Sequence, residues 1–213
     1  MPDGIVRQDT LPANSEGSTP QYRLNRRAEL VTASMFDQFL FDGRMFCAGD
    51  ADENDLVTGQ ATFAATTPTF LLEVPSGTTA MPLWVILSQA GTVAGGVIEC
   101  EISFDRVGRF STGGTSETIT HMHTGRPNSP ACLLYSGATA AAATDARRIF
   151  SAFLDQDVTD PNTTESLYWS AKQMWAPLLV GPAAFLVFTV GATTGPTWAW
   201  SIGWLELPSA SAD

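Results

Sequence analysis

Large apolar side chains at every second position near the end of the chain constrain its fold more than any other feature. Within residues 197–207 they are Trp198, Trp200, Ile202 and Trp204, and only Ala, Ser and Gly stand between them. Because successive side chains of a strand point to opposite faces, this segment places three indoles and one isoleucine on one side of a sheet. That side requires a large apolar surface against it, inside the domain or on a neighbouring subunit, and the nearly bare other side lets another layer approach closely.

Short segments with strand character, separated by turn residues, make up most of the remaining chain. They are residues 44–48, 69–74, 83–88, 97–104, 116–123, 132–135, 150–154, 166–174 and 184–190. About eight to ten strands with no repeating helix between them predict an all-β fold, a single antiparallel β-sandwich.

Four segments carry more detailed expectations. The uninterrupted apolar run 83–88 is expected to be buried on both faces, whereas the alternation in 97–104 predicts one wet face. Residues 166–174 fit a strand or a short helix. The loop 191–196 is expected to join the last two strands as an antiparallel hairpin.

The N-terminal part differs from the rest in composition. Residues 1–21 lack periodicity and are rich in Pro, Asn, Ser, Gly and Thr, which predicts an extended arm. The one concentrated basic spot follows at Arg23, Arg26 and Arg27. We therefore place the arm at 1–28 and the sandwich domain at 29–213, and the apolar spacing of 29–41 predicts a short amphipathic lead-in helix.

Charge and composition limit the functional classes. The chain has 22 acidic and 11 basic residues, a net charge of −11, which argues against nucleic-acid binding because phosphate recognition needs a basic patch. Only 15% of the residues are charged, against roughly 25% in an average globular protein. A surface of small, weakly polar residues suits close contact between subunits.

Cysteine spacing and apolar runs point to a soluble protein made in the cytoplasm. Cys47, Cys100 and Cys132 are widely spaced and odd in number, so buried free thiols are expected rather than disulfides or a zinc cluster. The chain opens without a basic start and apolar run, so no signal peptide is expected. The longest apolar run, 176–190, is too short to span a bilayer.

Two groups of residues resemble metal ligands. Asp50 and Asp52 open a D-x-D-x-N pattern, but the glycine and glutamate that an EF-hand loop needs at its sixth and twelfth positions are absent, so a solvated loop is the simpler interpretation. His121 and His123 have the spacing of two ligands on one strand face, with Cys132, Glu117, Glu99 or Glu101 as candidate third ligands. Partly exposed strand residues, or residues at a subunit contact, are the simpler interpretation of the two histidines.

Catalytic patterns are weaker still. Glu99 and Glu101 share one face of a strand, an arrangement that glycoside hydrolysis uses but that also describes the wet side of a sheet. The sequence has no GxSxG, GxGxxG or GxxxxGK[ST] pattern. The aromatic residues of the second half fit a carbohydrate platform, but their spacing among Leu and Val is more typical of a core or an interface. We therefore expect no enzyme and no cofactor.

Several stretches share the style of phage structural proteins: Phe41-Asp-Gly-Arg-Met-Phe46 and residues 74–83, 179–182 and 204–208. With its arm, helical lead-in and single sandwich, the chain resembles jelly-roll virion proteins, namely small capsid, decoration or head-associated proteins of bacterial and archaeal viruses. The resemblance implies a jelly-roll sandwich that assembles as trimers and with other capsid proteins, an arm that reaches a neighbour, and a place in the virion. It assigns no role to any single residue.

Self-association by burying apolar and aromatic surface is thus the first functional hypothesis, and its contacts are expected to draw on the arm, the lead-in helix and the late aromatics. These residues are Arg23, Arg26, Arg27, Phe36, Phe39, Trp175, Trp198, Trp200 and Trp204. The first alternative is a trimeric receptor- or glycan-binding module of a tail or fibre, which predicts exposed aromatic residues or a Ca²⁺ site in the 50–55 loop. The second alternative is a cupin-like metalloprotein that uses His121 and His123.

Overall fold

Strands dominate the computed structural model, which describes residues 35–50, 55–90, 96–125, 128–155, 165–191 and 194–208. One helix, α1 (Met35–Phe41), precedes fifteen strands within these ranges. The strands are β1 (Met45–Gly49), β2 (Val57–Thr58), β3 (Phe70–Val74), β4 (Thr78–Gln89), β5 (Val97–Asp105), β6 (Phe110–Thr112), β7 (Thr115–Ser116), β8 (Thr120–His121), β9 (Leu133–Ser136), β10 (Thr139–Ala140), β11 (Arg147–Asp155), β12 (Ser166–Ser170), β13 (Leu179–Val180), β14 (Ala183–Val190) and β15 (Thr197–Pro208). The predicted arm and residues 29–34 of the predicted helix lie outside the described residues.

Two antiparallel sheets pack face to face. The seven-stranded sheet has the order β12-β4-β15-β1-β8, with β13 also pairing with β4 and β2 with β15. The six-stranded sheet has the order β11-β5-β14-β3-β9-β7, and β10 and β6 form a separate ribbon. The predicted all-β antiparallel sandwich is therefore confirmed.

The indole row of β15 lies in the core between the sheets. Trp200 meets Phe70 of the six-stranded sheet with ring centroids 4.7 Å apart, and Trp198 donates from Nε1 to Thr189 Oγ1 at 3.0 Å. The large surface that the row requires is therefore supplied inside the domain. On the other side of β15, the Trp84 ring lies so close to Gly203 that a Cβ added there would approach it to 2.2 Å.

The predicted hairpin at residues 191–196 is wrong. β14 lies in the six-stranded sheet and β15 in the seven-stranded sheet, so the loop crosses the sandwich instead of joining paired neighbours. Phe185 and Val187 of β14 and the Trp198 and Trp200 side chains of β15 all belong to one buried cluster. Each strand therefore presents its apolar row to the same core from opposite sides, which side-by-side pairing in a single sheet does not allow.

Two further strand predictions are corrected. Residues 83–88 belong to the longer β4, whose Ile86 and Ser88 are exposed, so this part of the strand is buried on one face only. The segment 116–123 is not one strand, because β7 pairs with β9 in the six-stranded sheet whereas β8 pairs with β1 in the seven-stranded sheet. The chain between them passes from one sheet to the other.

The outer side of the six-stranded sheet is less wet than the alternation in 97–104 predicts. Glu101 and Ser103 of β5 are buried there. A second apolar cluster covers this side, formed by Leu71, Ala140, Ala184, Leu186 and Phe188, with Tyr135 packed against it. The ribbon of β6 and β10 contributes Ala140, and its Phe110 stacks on Tyr135 of β9 with ring centroids 4.1 Å apart.

Candidate assembly surface

Three of the tryptophans expected at subunit contacts are core residues. Trp198, Trp200 and Trp204 are at most 5% exposed, because the six-stranded sheet of the same chain covers their rings. They are not available to a partner in this fold, and that part of the interface prediction is corrected. The alternation in β15 does not by itself distinguish a partner sheet within the chain from one on a neighbour.

Trp175 remains the strongest contact candidate. Its side chain is 98% exposed, although Ala176 beside it packs against the core. The turn that carries it is fixed by hydrogen bonds from the Gln173 and Met174 N–H groups to the Ser170 carbonyl, at 3.1 and 3.0 Å. Strands β12 and β13, on either side of this turn, both pair with β4, so the indole lies at that edge of the seven-stranded sheet.

Further exposed apolar side chains surround Trp175 along the chain. We call this set the apolar edge, and its members are Tyr168, Met174, Trp175, Leu178 and Val180. Exposed aromatic and aliphatic groups concentrated in one place are typical of interaction sites, whereas single exposed apolar residues are common on any surface. The apolar edge is therefore a surface on which another molecule can bury area.

The outer side of the seven-stranded sheet continues from this edge and is uncharged. Residues of this outer side alternate along each strand with residues that point into the core, such as Trp169, Leu87, Ile202 and Phe46. The register arranges them in three cross-strand rows: Ser166, Ser88 and Ala199; Tyr168, Ile86, Ser201 and Gly49; Ser170, Trp84, Gly203, Cys47 and Thr120. We call these twelve residues the uncharged face; two of them, Ser170 and Gly203, are buried.

Charge is distributed unequally between the two sheets. Of the Asp, Glu, Lys and Arg residues, the strands of the seven-stranded sheet contain one, Glu206, and it points inward to accept a hydrogen bond from Trp204 Nε1 at 2.9 Å. The strands of the six-stranded sheet contain Glu73, Glu99, Glu101, Asp105, Arg147, Arg148 and Asp155. The strands of the seven-stranded sheet therefore offer solvent and partners no charged side chain on their outer side, unlike those of the six-stranded sheet.

The other predicted contact residues have varied positions. Arg23, Arg26 and Arg27 lie outside the described residues. Phe36 and Phe39 both belong to α1; Phe39 is half-buried, and its carbonyl accepts the Arg44 N–H at 3.0 Å, whereas the side chain of Phe36 is not among those described. Their role in contacts stays a prediction.

The candidate metal ligands do not converge among the described residues. His121 is the last residue of β8 and lies opposite Phe46 of the neighbouring strand β1. His123 lies beyond β8, and its Nδ1 accepts the Gly125 N–H at 3.1 Å. Asp52 lies outside the described residues. Asp50, at the end of the seven-stranded sheet, donates its N–H to the Trp200 carbonyl at 3.0 Å. In the described part of the chain, no three His, Cys, Asp or Glu side chains are grouped as a metal would require.

Among the candidate carboxylate pair and the three cysteines, Glu101, Cys100 and Cys132 are buried in the fold. Glu101 is buried and pairs with Arg148 at 2.5 Å, so it is not available as half of a free carboxylate pair with Glu99. Cys100 and Cys132 are buried free thiols, as expected, and Cys47 is half-buried. Burial, and secondly the Glu99 charge, raise the pKa of Cys100 to about 12.

A buried ion pair that the sequence did not reveal fixes the loop after β5. Asp105 and Arg109 are 0% and 1% exposed and lie 3.0 Å apart. Arg109 also donates from Nε to the Ala141 carbonyl at 2.7 Å and from Nη2 to the Ala65 carbonyl at 3.1 Å. Glu73 accepts the backbone N–H of Arg109 at 3.0 Å. These contacts join three loops that are far apart in the sequence.

The carboxylate of Asp105 is stabilised in its charged form. Burial acts to raise its pKa, but N–H groups of Thr144 and Asp145, at 3.0 and 3.1 Å, and the Arg109 guanidinium outweigh burial. The pKa of Asp105 is therefore lowered. No local motif signals this arrangement, because the partners come from separate loops.

A cleft of about 380 Å³ opens near the C-terminal end of β15. Arg44, Thr78, Asn128 and Glu206 contribute to its lining. The Glu206 carboxylate already accepts the N–H groups of Ala131 and Cys132, at 2.8 and 3.1 Å. Its buried oxygens are therefore used to anchor the 131–132 loop.

Comparison with known proteins gives no relative from which to transfer a function. No protein-family model matches the chain, and no curated protein matches it significantly. Within the described residues, no helix combines the length and the apolar character needed to cross a membrane.

Proposed function

We propose that this chain is a structural protein that self-associates, in the setting that its sequence resembles: a viral capsid, or a protein that decorates one. The observation that carries the proposal is the apolar edge, where a 98% exposed indole stands among other exposed apolar side chains. Burying about 200 Å² of indole at about 25 cal/mol per Å² contributes roughly 5 kcal/mol before the costs of association. The trimer and the virion location follow from the resemblance.

The strand order supports the jelly-roll type. If β1, β3, β4, β5, β11, β12, β14 and β15 are numbered one to eight, one sheet has the order 1-8-3-6 and the other 2-7-4-5. Among the seven connections, only the one from β5 to β11 stays within one sheet. This is the order of a jelly roll, an architecture of many viral capsid proteins but also of lectins and cupins, so the fold alone does not decide the function.

Sedimentation velocity of the purified protein, across a wide range of concentrations and at several salt levels, tests the proposal. We expect trimers or larger closed particles, with little weakening by salt because apolar burial is the main attraction. Electron microscopy of the particles then shows whether shells form. A monomer at every concentration would refute self-association as an intrinsic property.

A glycan-binding module is the second candidate, because Trp175 and Tyr168 are aromatic rings open to solvent on one edge. It predicts binding to a glycan array that Trp175→Ala abolishes while the sedimentation coefficient stays unchanged. The cupin-like alternative has less support, because in the described part of the chain no third His, Cys, Asp or Glu side chain joins His121 and His123 in a group that could hold a metal.

A further inference from the structure

The outer side of the seven-stranded sheet presents twelve neighbouring residues without a charge, and we propose that a second copy of this chain binds there. In this arrangement the two uncharged faces pack against each other, with the Trp175 indole of each copy at the rim. The inference rests on the proposed function, since it names the surface and the partner through which self-association takes place.

A solvated sheet of this chain is expected to carry charge. Antiparallel sheets usually alternate apolar residues on the core side with polar residues on the wet side, and charged side chains help to prevent unwanted association. The chain has 33 charged residues, the sum of 22 acidic and 11 basic ones, and seven of them stand in the strands of the six-stranded sheet, where Glu101 and Asp105 are buried. The uncharged face instead exposes Tyr168 and Ile86, directly opposite each other on β12 and β4.

Electrostatics favours an identical copy as the partner. Each copy carries a net charge of −11, so contacts elsewhere on the surface bring like charges together. At the uncharged face, two copies meet without burying an unpaired carboxylate, which is the costly event at a protein interface. A nucleic acid, by contrast, requires basic side chains that this face lacks.

The shape of the face is also self-complementary. Its β12–β4 half projects the bulky Tyr168 and Ile86, and its β15–β1 half carries small residues such as Ala199 and Gly49, whereas the Trp84 ring already lies over Gly203 and donates to Ser201 Oγ at 3.1 Å. A twofold axis in the plane of the contact, parallel to the strands and between β4 and β15, places the bulky half of each copy over the small half of the other. Such isologous contacts are the commonest in soluble homo-oligomers and close a dimer, so the trimers or particles of the proposed function need a second, different contact.

The available area determines which residues must take part. Three rows at about 6.6 Å spacing and four strands at about 4.8 Å spacing give a footprint of about 400 Å² per copy, or about 800 Å² for the pair. That is the size of a crystal contact, whereas stable interfaces begin near 1,200 Å². An exposed indole adds about 200 Å² per copy. The contact therefore reaches a stable size only if Trp175 is included.

The test uses one serine on the face and one off it. Ser88 lies on the uncharged face and Ser111 on β6, and both are exposed strand residues. We expect Ser88→Glu and Ser88→Arg each to raise the dissociation constant, measured by sedimentation velocity, at least about a hundredfold because either charge is buried unpaired. Ser111→Glu and Ser111→Arg should change it less than about threefold. Circular dichroism and thermal melts verify that every variant is folded.

A second pair of variants tests the rim. Trp175→Ala should weaken association at least about tenfold, because it removes the roughly 200 Å² per copy that brings the contact to a stable size. Phe153→Ala, which removes another exposed aromatic ring from the edge strand β11 of the other sheet, should not.

The outcomes distinguish this inference from the proposed function. Association lost in both Ser88 variants and kept in both Ser111 variants supports the uncharged face as the contact. Association that Ser88→Glu leaves intact, including a trimer insensitive to it, overturns the inference while the proposed function stands. Weakening by Ser88→Glu with strengthening by Ser88→Arg would show a net-charge effect and also overturn it. A wild-type monomer at all concentrations overturns both.

Discussion

Replacing Arg109 by Met tests whether the buried ion pair organises the loops of the six-stranded sheet. The substitution keeps a long unbranched side chain but removes the guanidinium, which contacts Asp105 Oδ2 at 3.0 Å and two backbone carbonyls. Asp105, with no exposed surface, is then left charged without its cation. Thr144 and Asp145 still donate to it, so part of its stabilisation is kept.

The size of the effect follows from burial rather than from distance. Removing one partner of a buried pair typically costs about 3–5 kcal/mol, because the remaining charge is not solvated. Arg106 forms a shorter contact, 2.7 Å, with Asp145, but its side chain is 76% exposed. Exposed pairs contribute about 0–1 kcal/mol. We therefore expect Arg109→Met to cost about 3–5 kcal/mol and Arg106→Met less than about 1 kcal/mol.

Urea unfolding, followed by tryptophan fluorescence at a single fixed protein concentration, measures both variants. With a slope of about 2 kcal/mol per molar urea, Arg109→Met should lower the midpoint by about 2 M. The double variant Asp105→Asn/Arg109→Met should lose less than the sum of the two single variants, by about 1.5–3 kcal/mol. Equal losses for Arg109→Met and Arg106→Met, or strict additivity in the cycle, would refute the reasoning.

Three further expectations follow from individual contacts. Gly203→Ala should lower the free energy of unfolding by about 1–3 kcal/mol in the same urea assay, because its Cβ meets the Trp84 ring; an unchanged midpoint contradicts this packing. Asp105 has a lowered folded pKa, so its contribution to stability is complete above its unfolded pKa, about 3.9, and is lost as pH falls through the folded value. Melting temperatures of the wild type should therefore fall more steeply in acid than those of Asp105→Asn, and parallel profiles would contradict the assignment. The pKa of Cys100 is raised to about 12, so iodoacetamide at pH 8 should label it only after unfolding, as peptide mass spectrometry can show; rapid labelling of the folded protein contradicts its burial.

Local alternation was sufficient to predict most of the longer strands and the fold class. The indole row of β15 and the Ile98, Cys100 and Ile102 row of β5 are all buried on one side. Alternation is a property of a single strand, so a single sequence contains it. Nine strands have four or more residues, in agreement with the eight to ten expected from the pattern.

Pairing and long-range contacts could not be predicted in the same way. The loop 191–196 has the composition of a hairpin, and only the core shared by β14 and β15 makes it cross the sandwich. Arg109 stands in an ordinary loop four residues after Asp105, and the carbonyls of residues 65 and 141 become its neighbours only in the fold. Both features depend on which strands are adjacent, and short-range propensity does not encode that.

The uncharged face could be located only by combining the sequence pattern of single strands with the order in which the strands pair. The bare side of β15 predicted space for another layer, and part of that space is filled within the chain by Trp84 over Gly203. Low total charge could not locate a contact surface, because a count over the whole chain averages two sheets of opposite character. Once the pairing order places β12, β4, β15 and β1 side by side, the charges can be counted for each sheet separately. That count turns a property of composition into a property of one surface, and it is the reason that a charge introduced at Ser88, rather than at Ser111, is expected to decide whether two copies associate.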